Sequence, residues 1–317
     1  MIGIAGAGAF GTALALALAA EGREVRLWAR DGSARAAMRD SRANPRLPGV
    51  TLPEALHVVE TLPELAQTEL VLLAMPMQAL RGFLSGPGHD LLAADLVACC
   101  KGIDLDTLQG PAEVILDAGA GGAIAVLTGP SFAADIARGL PTALTLACAH
   151  PGSEALQHRL STPALRLYRT DDVVGAQLGG AMKNVIAIAA GVVVGAGLGD
   201  SARAALITRG YAEMGRLAQA LGARAETLSG LSGLGDLILT CTSAQSRNFS
   251  HGFALGAGRA VPVATVEGVA TARASVRLAA RLGVELPVAA MVARLTNAEI
   301  EVEEAVRQLM SRPLKQE

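Results

Sequence analysis

Lys183 stands in the stretch GGAMKNVIAI, and no other charged side chain occurs between positions 173 and 199. On a helix, Ala176, Gly179, Gly180, Ile186, Ala187 and Ala190 share its face at i±3, i±4 and i±7. Such a small, apolar face strips water from an ammonium, favours the neutral amine and brings the group toward proton transfer near neutral pH. The plainer alternative is a lysine that snorkels to the surface at a helix end. The mid-run position argues against it, and Gly179 and Gly180 leave room for a ligand. Asp236 lies in the Gly-flanked turn of GLGDLILTCT, as a functional carboxylate or as a helix cap. Ser246, Arg247 and Asn248 in QSRN form a donor set suited to a phosphate monoester, or an ordinary helix start.

Other chemistry sits at breaks in apolar runs. Lys101 in CCKGI follows a strand-like run directly, at the carboxyl edge where open α/β sheets bind ligands, or as a solvated loop lysine. LTGPSFA puts Gly129 and Ser131 at a strand-to-helix junction, where free N–H groups receive an anion or Ser131 caps the helix. GAGAFG places Gly6, Gly8 and Gly11 between a first strand and a first helix. Gly6 permits the tight turn, Gly8 lets backbone approach a pyrophosphate, and Gly11 allows close helix–strand packing, the pattern of a dinucleotide site. A carboxylate about 20 residues on usually holds the ribose 2′-OH of NAD. Here RLWARD offers Arg30, which can meet a 2′-phosphate, so NADP (NADPH) is favoured over NAD. Asp31 either serves NAD or caps the next helix.

The elements that must position these residues divide the chain in two. Strand-like runs at 2–5, 24–29, 70–74 and 96–100 alternate with helical patterns at 11–20, 32–40 and 77–85, which implies crossovers and a parallel sheet. Runs at 123–127 and 143–147 extend it, with an edge at 165–168. Beyond Asp172, helical segments at 173–196, 201–221, 245–257, 267–282 and 287–309 are broken by Gly and Pro. The expected fold is α/β: an N-terminal Rossmann-type doubly wound parallel sheet over 1–172, then an all-α C-terminal domain over 173–317.

Composition excludes several functions. The 317 residues are 51% hydrophobic and 18% charged, enough for two packed domains rather than disorder. A net charge of −2, with 27 Lys and Arg dispersed, leaves no basic block for nucleic acid. Four cysteines (Cys99, Cys100, Cys148, Cys241) lack metal or redox spacing and fit buried thiols in a reducing compartment. The N-terminus starts directly in a strand with no export signal, so a cytoplasmic location is expected. The apolar run after Asn184 lasts fifteen residues, short of the roughly 20 a membrane span needs, so it reads as a buried core helix.

GAGAFGTALA, NPRLPG, CCKGI, LTGPSFA, LGGAMKNVIAIAAG, ARAALITRG, GLGDLILTCT and QSRN, in this order and spacing, resemble the bacterial NAD(P)-dependent glycerol-3-phosphate dehydrogenase family over positions 1 to about 270. The resemblance implies reversible hydride transfer between NAD(P)H and dihydroxyacetone phosphate, giving sn-glycerol 3-phosphate for phospholipid synthesis by a cytoplasmic dimer. It implies that Lys183 is the catalytic lysine and that Lys101, Gly129, Ser131, Asp236, Ser246, Arg247 and Asn248 are substrate positions. Cofactor positions implied are Ala9, Phe10, Arg30, Lys101, Ala133, Arg247 and Glu267, with Thr265 beside the last. Ala9 replaces a frequent Ser after the second glycine, and MPMQ (Met75 to Gln78), Ser201 and Thr265 also depart from the family pattern. Two other functions share these elements: a related β-hydroxyacid dehydrogenase, whose site is built for carboxylate, and a dinucleotide-binding sensor without catalysis.

Overall fold

The computed structural model describes residues 1–261 and 265–310, which form two compact units. The first comprises residues 1–101 and 109–177, the second residues 102–108 and 178 onward.

The first unit runs β1 (Ile2–Ala5), α1 (Ala9–Ala19), β2 (Val25–Trp28), α2 (Gly32–Ser41), β3 (Leu56–Val58), α3 (Leu62–Ala66), β4 (Leu70–Leu73), α4 (Met77–Leu84), β5 (Asp95–Ala98), α5 (Pro111–Asp117), β6 (Ile124–Thr128), α6 (Ala133–Ala137), β7 (Thr142–Ala147), α7 (Ser153–Leu160) and β8 (Leu165–Thr170). Among the described residues the strands form one sheet in the order β3-β2-β1-β4-β5-β6-β7-β8. The inner strands β1 (IGIA) and β4 (LVLL) are buried on both faces, as their unbroken apolar sequences require in a sheet covered by helices. Chain order reverses at β1, which pairs in parallel with β2 on one side and β4 on the other. That switch point is where doubly wound folds open a crevice at the strand carboxyl ends.

The expected parallel sheet is borne out for β1 to β6; β7 runs antiparallel to β6, with Leu127 opposite Leu146, and β8 pairs parallel to β7, so the last two strands run against the other six. The 129–141 link contains only the five-residue α6, at the short limit for a crossover that would keep the strands parallel. Strand β3 was not expected; its three residues, LHV, are too few to show a period.

Among its described residues the regular elements of the second unit are all helices. It takes most of α8 (Val173–Gly195), then α9 (Asp200–Ala220), α10 (Ala225–Ser229), α11 (Asp236–Cys241), α12 (Arg247–Gly256), α13 (Glu267–Leu282), α14 (Pro287–Thr296) and α15 (Val302–Met310). A π-helical turn, Leu231–Gly235, leads directly into α11. The expected helix over 287–309 is broken between Thr296 and Val302, where Ala298 takes a left-handed φ of 54°. Helix α8 is long and apolar enough to cross a membrane by composition, yet 89% of its most apolar window is buried within the protein.

Glycines set the spacing around α8. A Cβ at Gly191 or Gly195 would fall 2.1 or 2.2 Å from the carbonyl oxygens of Phe249 or Phe253, and one at Gly252 or Gly256 would fall 1.9 or 2.2 Å from those of Ile188 or Val192. Helices α8 and α12 therefore meet backbone to backbone, each lending two glycines four residues apart. Residues 188 and 192 face 252 and 256 in the same sense, so the two helices run parallel.

Candidate active site

The glycine turn of the first unit has the geometry of a pyrophosphate cradle. Gly6 has φ 121°, and a Cβ there would lie 2.4 Å from the Ala74 carbonyl oxygen. A Cβ at Gly11 would lie 2.0 Å from the Gly6 oxygen, whereas one at Gly8 would meet nothing within 4 Å. Two glycines are thus demanded by packing, and the third borders open space. Gly8 is the N-cap of α1 with no side-chain cap and no acidic residue in the first turn, so the first N–H groups, from Ala9 and Phe10 onward, face that space. These residues fit a dinucleotide. Ala9, Phe10 and Ala133 are all partly buried against the same apolar cluster, with α6 packed on α1.

At the tip of β2, Asp31 accepts hydrogen bonds from the Ser33 and Ala34 N–H groups (2.9 and 3.4 Å) and caps α2. Bonds from Ser33 and Ala34 hold its carboxyl below the usual carboxylate range. The capping alternative is the observed one. Arg30 is exposed. Lys101 is half-buried and donates to the Gly129 carbonyl at 3.3 Å, joining the ends of β5 and β6. Gly129 has φ 139°, and a Cβ would press on Leu144 at 3.1 Å. Ser131 does not cap α6: the N-cap is Phe132, and the Ser131 hydroxyl turns back to the Gly129 oxygen at 3.4 Å.

In the second unit Lys183 is 7% exposed. Its Nζ donates to Asp236 Oδ1 at 2.6 Å and to Thr240 Oγ1 at 2.8 Å. Asp236 is fully buried and also accepts from Thr240 at 3.3 Å. One alternative falls away here and one expectation is corrected. Asp236 is no cap, because Gly235 is the N-cap and the carboxylate faces Lys183. The space beside Gly179 belongs to protein rather than ligand: a Cβ there would lie 2.6 Å from the Ser232 oxygen, so its absence lets the π turn close on α8. The ammonium is accordingly compensated by a carboxylate rather than merely stripped of water. Thr240 was missed in the sequence; its one signal is the i+4 spacing from Asp236. Cys241, buried next to the pair, has its thiol pushed up to about 12, chiefly by desolvation, with Lys183 lowering it and Asp236 raising it.

Ser246 is the N-cap of α12, accepting from Phe249 N–H at 3.2 Å. Arg247 follows, exposed. Asn248 donates to Asn184 Oδ1 at 2.9 Å and accepts from Gly268 N–H at 2.9 Å, fastening α8, α12 and the start of α13 together. Asn184 was also missed, although it adjoins Lys183. Glu267 is the first residue of α13 and is half-buried; Thr265 is exposed.

Residues 1–153 match the profile described as NAD-dependent glycerol-3-phosphate dehydrogenase N-terminus, and residues 172–307 match its C-terminus counterpart. The chain belongs to this family. It is 60% identical to the glycerol-3-phosphate dehydrogenase [NAD(P)+] of Paracoccus denitrificans, covering 100% of this chain and 99% of the relative. It is 61% identical to that of Cereibacter sphaeroides, with both chains covered in full. The crystal structure of glycerol-3-phosphate dehydrogenase from Coxiella burnetii is similar, with TM-score 0.93, 37% identity and 98% of each chain covered. The two matches divide the chain much as its two compact units do, with the glycine turn in the N-terminal match and the buried Lys183–Asp236 pair in the C-terminal one.

Proposed function

We propose that the protein is an NAD(P)-dependent glycerol-3-phosphate dehydrogenase that reduces dihydroxyacetone phosphate to sn-glycerol 3-phosphate. The observation that carries this is the buried Lys183–Asp236–Thr240 cluster, a proton donor held in place where lysine is otherwise rare. When bound, the reduced nicotinamide supplies hydride to the C2 carbonyl carbon. Lys183 gives its proton to the oxygen that becomes the C2 hydroxyl, and Asp236 holds the amine in position and stabilises its charged form before transfer. Lys101 donates to the same oxygen or to the C1 hydroxyl. Arg247, with Asn248 and Ser246 at the α12 N-terminus, binds the phosphate, and Gly129 and Ser131 complete the substrate contacts.

Gly6, Gly8, Ala9, Phe10 and Gly11 hold the pyrophosphate, Arg30 the adenosine ribose, and Ala133, Lys101, Arg247, Thr265 and Glu267 supply further cofactor contacts. Residues 1–172 form the cofactor domain and 173–317 the substrate domain. Arg30 at the β2 tip, with Asp31 committed to its cap, supports NADPH as the favoured reductant. A homodimer in the cytoplasm that supplies phospholipid synthesis agrees with the family.

The test follows NADPH absorbance with dihydroxyacetone phosphate, with a keto acid, and with neither. Oxidation with the first alone is expected. Oxidation with the keto acid alone would favour a β-hydroxyacid dehydrogenase, and none with either would favour a sensor.

A further inference from the structure

A 2′-phosphate on the adenosine ribose brings close to two negative charges to the tip of β2. Beyond Arg30, that tip holds a cluster of charges. Arg35, whose side chain is 13% exposed, donates to the carbonyls of Ala29 (2.6 Å) and Arg30 (3.2 Å), and its guanidinium carbon lies 5.9 Å from the Trp28 ring centre. Its Nη2 is 3.2 Å from Glu60 Oε1, and Arg39 pairs with the other oxygen of the same carboxylate. The Arg35 Nε is buried without a hydrogen-bond partner. Glu60 arrives from a different element. Val59, one residue before it, donates to the Leu27 carbonyl at 3.0 Å, so the chain leaving β3 carries Glu60 alongside the end of β2. Hydrogen bonds from Arg35 and Arg39 hold its carboxyl below the usual range, so it is ionised at neutral pH.

Asp31 is occupied by its cap, and no ion pair to Arg30 is present among the described residues. The cluster of Arg30, Arg35, Arg39, Asp31 and Glu60 has a net charge of +1, and Glu60 accounts for two of the guanidinium pairings. We infer that Glu60 is a specificity-determining residue for the cofactor, occupying the guanidinium groups of Arg35 and Arg39 so that a 2′-phosphate must compete with it for positive charge. With Glu60 in place, the tip accepts a ribose bearing either hydroxyl or phosphate; without it, two more guanidinium groups turn to the phosphate. This rests on the proposed seating of the cofactor at the glycine turn.

Glu60→Gln keeps the side-chain size and removes the charge. At an exposed site, one added unit of net positive charge beside a dianion is expected to raise the ratio of kcat/KM for NADPH over NADH about tenfold, through KM, with a steeper loss at high salt. Binding of 2′-AMP, followed by calorimetry and independent of turnover, is expected to tighten similarly while that of 5′-AMP stays constant. Glu60→Asp, which keeps the charge, is expected to stay nearer the parent ratio. Unchanged 2′-AMP affinity and an unchanged cofactor ratio in Glu60→Gln overturn the inference while leaving the dehydrogenase reaction standing. Equal tightening of both nucleotides overturns it as well, because the effect would then not concern the 2′ position.

Discussion

Lys183 and Asp236 are each too costly to bury alone, and each removes the cost of the other. Replacing Lys183 with Ala is expected to lower turnover at least ~100-fold, with NADPH binding retained, as single-turnover and titration measurements would show. Asp236→Asn leaves an ammonium buried without its counter-charge and is expected to cost about 3–5 kcal/mol by denaturant unfolding. The paired change Lys183→Met with Asp236→Leu should recover most of that stability and none of the activity, separating folding from chemistry. The buried thiols give a signature at alkaline pH. Cys99 and Cys241 are both pushed up to about 12 by desolvation, so they keep their protons in the folded state while the unfolded chain loses them above about 9. The folded state then holds more protons than the unfolded, and stability falls as pH rises between those values, by up to about 1.4 kcal/mol per pH unit for each thiol. Urea midpoints at pH 8 and 10 measure the slope, and a Cys99→Ala, Cys241→Ala double variant is expected to flatten it.

At the scale of elements, close approach decides function. Helix α11 presents Asp236 to Lys183 because the π turn before it lies against Gly179, one helical turn ahead of the lysine. Gly179→Ala puts a methyl 2.6 Å from the Ser232 oxygen. Overpacking of this kind costs about 1–3 kcal/mol and is expected to displace Asp236, so kcat should fall more than KM rises. The sequence carried the alternation of strands and helices, the glycine turn, the helical second half and the lysine, since each repeats a pattern or breaks one. It did not carry the partners of those residues. Asp236 and Lys183 are 53 positions apart, and nothing in spacing declares that they meet. Gly179 looked like space for a ligand because sequence shows a missing side chain without showing what fills its place. The antiparallel β7 and the break at Ala298 likewise depend on link length and backbone conformation rather than on periodicity.

For the molecule as a whole, each of the two compact units carries its own apolar core. Cofactor at a hundredfold excess over its Kd is expected to stabilise the fold by about 2.7 kcal/mol. Amide exchange should slow most in β1, α1 and the β2 tip. Uniform slowing across α13 to α15 instead would count against the glycine turn as the binding element. The register of the glycine contacts between α8 and α12 adds a consequence. Asn184 faces Asn248, so Lys183 and Arg247, each one residue earlier, stand at the same level of two parallel rods whose main chains touch. With Lys183 and Arg247 in their proposed roles, the contact of these two backbones would bound the span from carbonyl to phosphate that the site accepts. A homologue longer by one methylene should therefore be reduced at least about tenfold less efficiently, and widening the rods with Gly252→Ala should blunt that preference.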